Sequence, residues 1–253
     1  MLPTRIQLKT IVPFLVAFVF AVTFGCNNTQ DQTTEGSKAS TAGSTSNESW
    51  DFDAIAVGEL PAGWNVESTN PKGPLATWQV IKDATAPSGS HVLAMTSPNH
   101  TFGGTFNICW TDHVSFLDGE IEVRFKAVKG KEDQGGGVIW RAQDKENYYI
   151  SRFNPLEDNF RIYYVRDGAR KTLANARITL PSGKWHTLKI VQRGNQFEGY
   201  LNGEKLLDGT DNLFSKPGGV GVWTKADAVT SFDDLSVRTL RARTERNAGQ
   251  EAP

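Results

Sequence analysis

Cysteine is nearly absent from this chain, with only Cys26 and Cys109 in 253 residues. That excludes a fold held by a framework of disulfides. Histidine is scarce too. His91, His100, His113 and His186 show no metal-ligand spacing, and no H-E-x-x-H pattern occurs. There is no surplus of either charge: 27 Lys+Arg stand against 28 Asp+Glu, a formal net charge of −1. Nucleic-acid binders carry a basic surplus, so no nucleic-acid partner is expected. The nucleophile elbow G-x-S-x-G is missing. The Gly135–Gly137 triplet precedes a strand pattern, not a helix, which argues against a phosphate-cradling loop. No stretch between Trp50 and Arg238 has the 3.6-residue period of an amphipathic helix.

What is present at the front reads as an export signal. Arg5 and Lys9 precede the apolar run "IVPFLVAFVFAVTFG", which is shorter than the about 20 residues of a membrane span. Gly25-Cys26 closes that run in the manner of a lipoprotein cleavage site, so residues 1–25 are expected to be removed and Cys26 lipidated. Simple cleavage after Ala21 is the alternative. The expected location is therefore the cell envelope, anchored to a membrane through Cys26, or, with simple cleavage, a secreted or periplasmic soluble protein. With Cys26 acylated, Cys109 has no partner and should be a buried, inert thiol. Residues 26–49 contain no hydrophobic side chain larger than alanine apart from that cysteine. They cannot bury enough area to offset their ordering entropy and read as a disordered tether. Residues 239–253 read as a polar tail.

Between Trp50 and Arg238 the pattern is alternation. In "GEIEVRFKA", Ile121, Val123 and Phe125 alternate with charged residues. Asp167-Gly168, Gly194-Asn195 and Asn202-Gly203 supply the positive φ that tight hairpins need. Many strands at short spacing predict an all-β, two-sheet antiparallel sandwich. The order of "DGEIEVRFKA", "GGGVIWRAQDKENYYISRFNP", "GKWHTLKIVQRGNQFEGYLNGEKLL" and "GGVGVWTKADAVTSFDDLSV" resembles the concanavalin A-like lectin/glucanase superfamily. Within it, the bacterial exported 3-keto-disaccharide hydrolase domains are the nearest resemblance, distantly similar to glycoside hydrolase family 16 and laminin G modules. The resemblance implies a jelly roll, with Trp185 covering the core and Asn202-Gly203 turning a hairpin. It also raises a calcium ion joining Asp51 or Asp53 to Asp233 or Asp234; otherwise no cofactor is expected.

A family 16 mechanism needs two carboxylates facing one groove about 5–5.5 Å apart. Asp118, Glu120 and Glu122 share a strand face, but so do Arg124 and Lys126, which marks a solvated face. The segment "NYYISRFNP", at the catalytic position by motif order, has no carboxylate. The catalytic residues therefore stay unassigned, with Asp144, Glu157 and His113 as candidate bases for cleavage of a 3-keto sugar. Strand parity instead predicts a row of arginines. With "PLED" as a four-residue loop, Arg152 faces Arg161, and Arg141 lies opposite or diagonal to Arg152. Tyr163 shares the Arg161 face, Trp223 stands beside Lys225, and Gln143 and Tyr148 have the parity to join them. Guanidinium forks and a flat indole suit a saccharide. The expectation is a shallow carbohydrate-binding face of Arg141, Gln143, Tyr148, Arg152, Arg161, Tyr163, Trp223 and Lys225. Cleavage of 3-keto-disaccharides or related glycosides, and a protein-binding adhesion role, are the alternatives.

Overall fold

The computed structural model describes residues 45–240, and every helix or strand assigned among them is a β-strand. Two antiparallel sheets form, with strands numbered in chain order. The first runs β13 (Glu204–Thr210), β12 (Gln196–Leu201), β11 (Trp185–Arg193), β6 (Asp118–Lys129), β15 (Val229–Leu240), β4 (His91–Ser97) and β3 (Thr77–Lys82), and β1 (Thr45–Trp50) also pairs with β15. The second runs β10 (Ala169–Arg177), β9 (Asn159–Arg166), β8 (Asn147–Asn154), β7 (Gly136–Asp144), β14 (Gly218–Lys225), β5 (Phe106–Phe116) and β2 (Asn65–Thr69). This is the all-β sandwich that the alternation predicts. Cys26, the signal segment, most of the tether and the tail lie outside the described residues.

The predicted turns form where the Asn-Gly and Asp-Gly pairs stand. Arg166 pairs with Ala169 around Asp167 and Gly168, at φ +49° and +74°. Leu201 pairs with Glu204 around Asn202 and Gly203, at +52° and +84°. These are the left-handed values of a tight hairpin. The alternating residues Ile121, Val123 and Phe125 are fully buried and meet the inner face of the second sheet, with Val138, Trp140, Phe153 and Ile162. Cys109 is buried in this core as a free thiol, and burial pushes its pKa up.

Two boundaries and one residue differ from expectation. Strand β1 takes Thr45–Ser49 from the tether, because an edge strand needs only backbone pairing; Glu48 pairs with Val237. Strand β15 likewise extends two residues beyond Arg238. Trp185 does not cover the core. It pairs beside Lys126 on the outer side, donates to Thr85 and sits under the Lys126 ammonium, 4.9 Å from its ring. Its neighbour His186 points inward instead, against Phe125 and Phe153, with its ring nitrogens bound to Pro181 and Asn202.

Candidate functional site

The second sheet has an apolar layer on its outer face as well. Ile108, Trp110, Ile139, Tyr148, Ile150, Tyr163, Val165 and Trp223 form a cluster separate from the main core, on the opposite parity. Glycines in β14 make room for it: a Cβ on Gly219 or Gly221 would stand 2.7 or 2.5 Å from Trp110 atoms. Polar side chains and loops then roof this layer. Thr69 donates to the Lys145 carbonyl, and the Asn70 amide donates to the Gly104 and Gly168 carbonyls.

On this roof lies an ionic cluster. Arg152 pairs directly with Arg161, as the four-residue "PLED" loop predicts, and Asn154 pairs with Asn159 at its base. Glu157, on that loop, reaches back between the two cations. It accepts from Arg152 Nη2 at 3.0 Å and from Arg161 Nη1 at 3.4 Å. Asn159 donates to the same oxygen at 2.8 Å and accepts from Arg152 Nη1 at 2.6 Å. Like charges facing across a sheet repel; here one carboxylate offsets both. Burial works to raise the Glu157 carboxyl, but the hydrogen bonds from Asn159 and Arg152 and the charges of both arginines outweigh it and lower it to about 2. Arg152 itself is 1% exposed, and its Nε has no hydrogen-bond partner.

A second carboxylate comes from the loop before β7. Gly130, at φ +155°, lets that loop close tightly, since a Cβ there would sit 1.9 Å from the Asp133 carbonyl oxygen. Asp227 accepts the backbone N–H groups of Lys131, Glu132 and Asp133 and fixes the loop from below. The Asp133 side chain is thereby buried against Asn154, which donates to it at 2.8 Å, and Lys225, at 3.5 Å. Burial raises its pKa, while Arg152 and Lys225 pull the other way. Their surroundings thus shift the two carboxyls in opposite directions, Glu157 down and Asp133 up.

Arg170, on β10, completes the cluster. It pairs opposite Val165, lies over the rings of Tyr163 (4.4 Å), Phe106 (5.0 Å) and Trp223 (5.6 Å), and its Nη1 has no partner. Burial pulls its pKa down.

Of the eight residues read from the sequence, six share this outer face and two do not. Arg152, Arg161, Tyr163 and Lys225 stand in or beside the cluster. Tyr148 and Trp223 lie beneath it: Tyr148 is fully buried, with its hydroxyl 2.7 Å from Thr69, and Trp223 is 1% exposed. Trp223 therefore offers no open platform for a sugar ring, because Arg170 covers it. Arg141 leaves the row altogether. The β7–β8 register shifts between Trp140 and Asp144, Arg141 takes φ +47°, and Gly137 occupies the position opposite Arg152. A Cβ at Gly137 would stand 1.8 Å from the Ser151 carbonyl oxygen, so only glycine fits there. The Arg141 guanidinium instead donates to the Leu117, Phe214 and Gly194 carbonyls and to Asp118, a buried structural role. Gln143 is exposed and bonds the Arg141 and Pro217 carbonyls away from the cluster. Among the candidate bases, Asp144 caps its own hairpin through Glu146 and Asn147, and His113 is exposed on β5 beside Gly63; only Glu157 belongs here. Asp133 and Arg170 are additions that the sequence reading does not contain. Arg170 was accessible to it, since the Asp167-Gly168 turn puts Arg170 across from Val165, on the face of Tyr163.

On the first sheet, Glu120 pairs with Arg238, as a solvated face should. Asp53, Asp233 and Asp234 do gather around the Ser88–His91 turn. Both Asp233 oxygens, Asp234 Oδ1 and Asp53 Oδ1 accept from Ser88, Ser90, His91 and the Asp234 N–H, and no trio of His, Cys, Asp or Glu among the described residues is arranged to hold a metal. Burial raises the Asp233 carboxyl to about 6, with the charges of Asp234 and Asp53 adding to it.

Known proteins share this frame. A carbohydrate-binding module of family 66 from Bacillus subtilis superposes with a TM-score of 0.54 at 20% identity, covering 69% of this chain and 95% of its own. A Bacillus licheniformis β-glucanase superposes at 0.51 and 13% identity, covering 79% of this chain and all of its own. At such identities the likeness is one of fold. In sequence, 112 residues are 25% identical to levanase of Bacillus subtilis, a stretch that is 43% of this chain and 16% of levanase. The model of the 3-keto-alpha-glucoside-1,2-lyase-like domain matches residues 52–238, almost the whole sandwich, and the chain belongs to that family.

Proposed function

We propose that the outer face of the seven-stranded sheet binds a saccharide at the cluster of Asp133, Arg152, Glu157, Arg161, Arg170 and Lys225. The observation that carries this reading is the Glu157–Arg161 pair, 43% and 32% exposed in their side chains and held from behind by Arg152, a buried cation whose Nε is unpartnered. Burying a charge is costly, and an ordinary sheet face has no need of one. A preset guanidinium beside carboxylates and amides suits a ligand with many hydroxyl and carbonyl oxygens. A carbohydrate-binding module among the fold relatives supports the same reading. The adhesion alternative draws less support. The exposed large apolar residues among those described, Val57, Leu75, Phe102, Val128 and Leu156, come singly from five segments.

A second reading, cleavage of a 3-keto-glycoside, is favoured by Asp133. In such a sugar the ketone at C3 acidifies the C2 proton. A carboxylate removes that proton, the electron pair forms the C1–C2 double bond, and the C1–O bond breaks, the departing oxygen taking up a proton. Asp133, with its pKa raised, is the base that this places beside Arg152, whose charge would steady the enolate oxygen. No paired nucleophile is required. We further propose that the chain is exported and anchored through lipid on Cys26, which would hold this face outside the cytoplasm.

The test is incubation of the protein with a set of disaccharides and their 3-keto derivatives, followed by mass spectrometry of products and of retained complexes. Sugar retained intact by the wild type and released by Arg152→Met supports binding. Product that disappears in Asp133→Asn supports cleavage. Neither complex nor product removes the proposal.

A further inference from the structure

Beside the cluster lies a depression of about 550 Å³, bordered by Asn70, Phe102, Phe106, Asp167, Arg170 and Lys225. Its charges are unequal in kind. Arg170 makes no ion pair and no side-chain hydrogen bond among the described residues; it rests on three aromatic rings with Nη1 unpartnered. Lys225 has one ionic partner, Asp133, which is buried and shared with Asn154. Lys72 stands 4.1 Å from the ring centroid of Phe102 at the lip. Two acids are near the rim, Asp167 on its turn and Glu132, which a Cβ on Gly103 would approach to 3.2 Å. Neither is paired with Arg170. Counting roof and rim together, Arg152, Arg161, Arg170, Lys225 and Lys72 face Asp133, Glu157, Asp167 and Glu132, a surplus of one positive charge, and Arg170 is the cation without an acid partner among the described residues. Glu157 is already committed to Arg152 and Arg161. A guanidinium that has given up water for ring faces and has gained no anion is incompletely compensated.

We propose that the saccharide bound here carries a carboxylate, as a uronic acid residue does, and that Arg170 and Lys225 receive it. This rests on the reading of the face as a sugar site. Arg170 supplies the planar fork suited to two carboxylate oxygens, and Lys225 supplies a second positive charge. Phe102, 42% exposed, offers the sugar's C–H face an apolar edge at the lip.

The experiment is calorimetric titration of the full chain with oligogalacturonides and glucuronoxylan fragments, against neutral gluco-, xylo- and fructo-oligosaccharides of equal length, at low and high salt. The expected result is uronate binding about tenfold tighter than neutral binding, with the gap narrowing as salt rises. Arg170→Met should abolish the preference, bringing acidic and neutral sugars to the same, weaker binding. Lys225→Met, which keeps most of the apolar stem, should reduce it. Equal binding of neutral and acidic sugars by the wild type overturns the inference while the saccharide reading stands, as does a preference that survives both substitutions. Binding of neither class overturns both.

Discussion

Replacing Glu157 with glutamine removes the carboxylate that sits between Arg152 and Arg161 while keeping its length and one acceptor. The carboxyl is lowered from 4.5 to about 2 by folding. In an enclosed site that drop would correspond to about 3 kcal/mol. The side chain is 43% exposed, however, and solvent screening reduces the figure to about 1 kcal/mol. Losing the shield between two facing arginines contributes within the same range. For a domain of this size Glu157→Gln should lower Tm by about 2–4 °C at pH 7. The pH dependence has a definite sign. A carboxylate with a depressed folded pKa stabilises fully above its unfolded value of 4.5, and that contribution is lost as the pH falls through about 2. The gap between wild type and variant should therefore close between pH 5 and pH 2. Thermal melts followed by circular dichroism at intervals across that window would show it. A gap that is absent at pH 7, or that stays constant down to pH 2, refutes the ionic account of this turn.

Other outcomes follow from neighbouring geometry. Arg141→Met takes the donor from the buried Phe214 and half-buried Leu117 carbonyls, while Gly194 keeps Gln192, and should cost about 2–4 kcal/mol by urea denaturation, with sugar binding by the folded fraction unchanged. Gly137→Ala should cost about 1–3 kcal/mol or more, since its Cβ meets backbone at 1.8 Å and neither strand can yield without breaking its ladder. Asp233 reverses the sign of Glu157. Its carboxyl is raised to about 6, so its contribution is full below 3.8 and is lost as pH rises through about 6, by about 2–3 kcal/mol in all. Asp233→Asn should flatten that slope in melts between pH 4 and pH 8, and the same melts with millimolar calcium test the bridging ion, which would restore stability at the alkaline end.

The parts of the fold legible in the sequence were those decided locally. Asn202-Gly203 and Asp167-Gly168 announce their turns because few other residue pairs accept positive φ twice in succession. Arg152 opposite Arg161 follows from one loop length and parity. Arg141 escapes the same logic, since a register shift between Trp140 and Asp144 breaks the period and turns its side chain to the rim. Trp223 takes the face that parity assigns it, but parity cannot say that Arg170 on β10, four strands away in the order β10-β9-β8-β7-β14, lies over it. Asp133 was the least legible. "GKEDQGGG" reads as an exposed charged turn, and only the clamp of Asp227 on its backbone, 94 residues distant, folds that carboxylate into the cluster.

The most direct test of the central claim is an amide chemical-shift map of the labelled full chain titrated with disaccharides, their 3-keto derivatives and a uronate oligosaccharide. The account predicts shifts concentrated at Asp133, Arg152, Glu157, Arg170 and Lys225. Shifts confined to the outer side of the eight-stranded sheet, around Glu120, Glu122 and Lys189, or no shifts with any sugar, would contradict it.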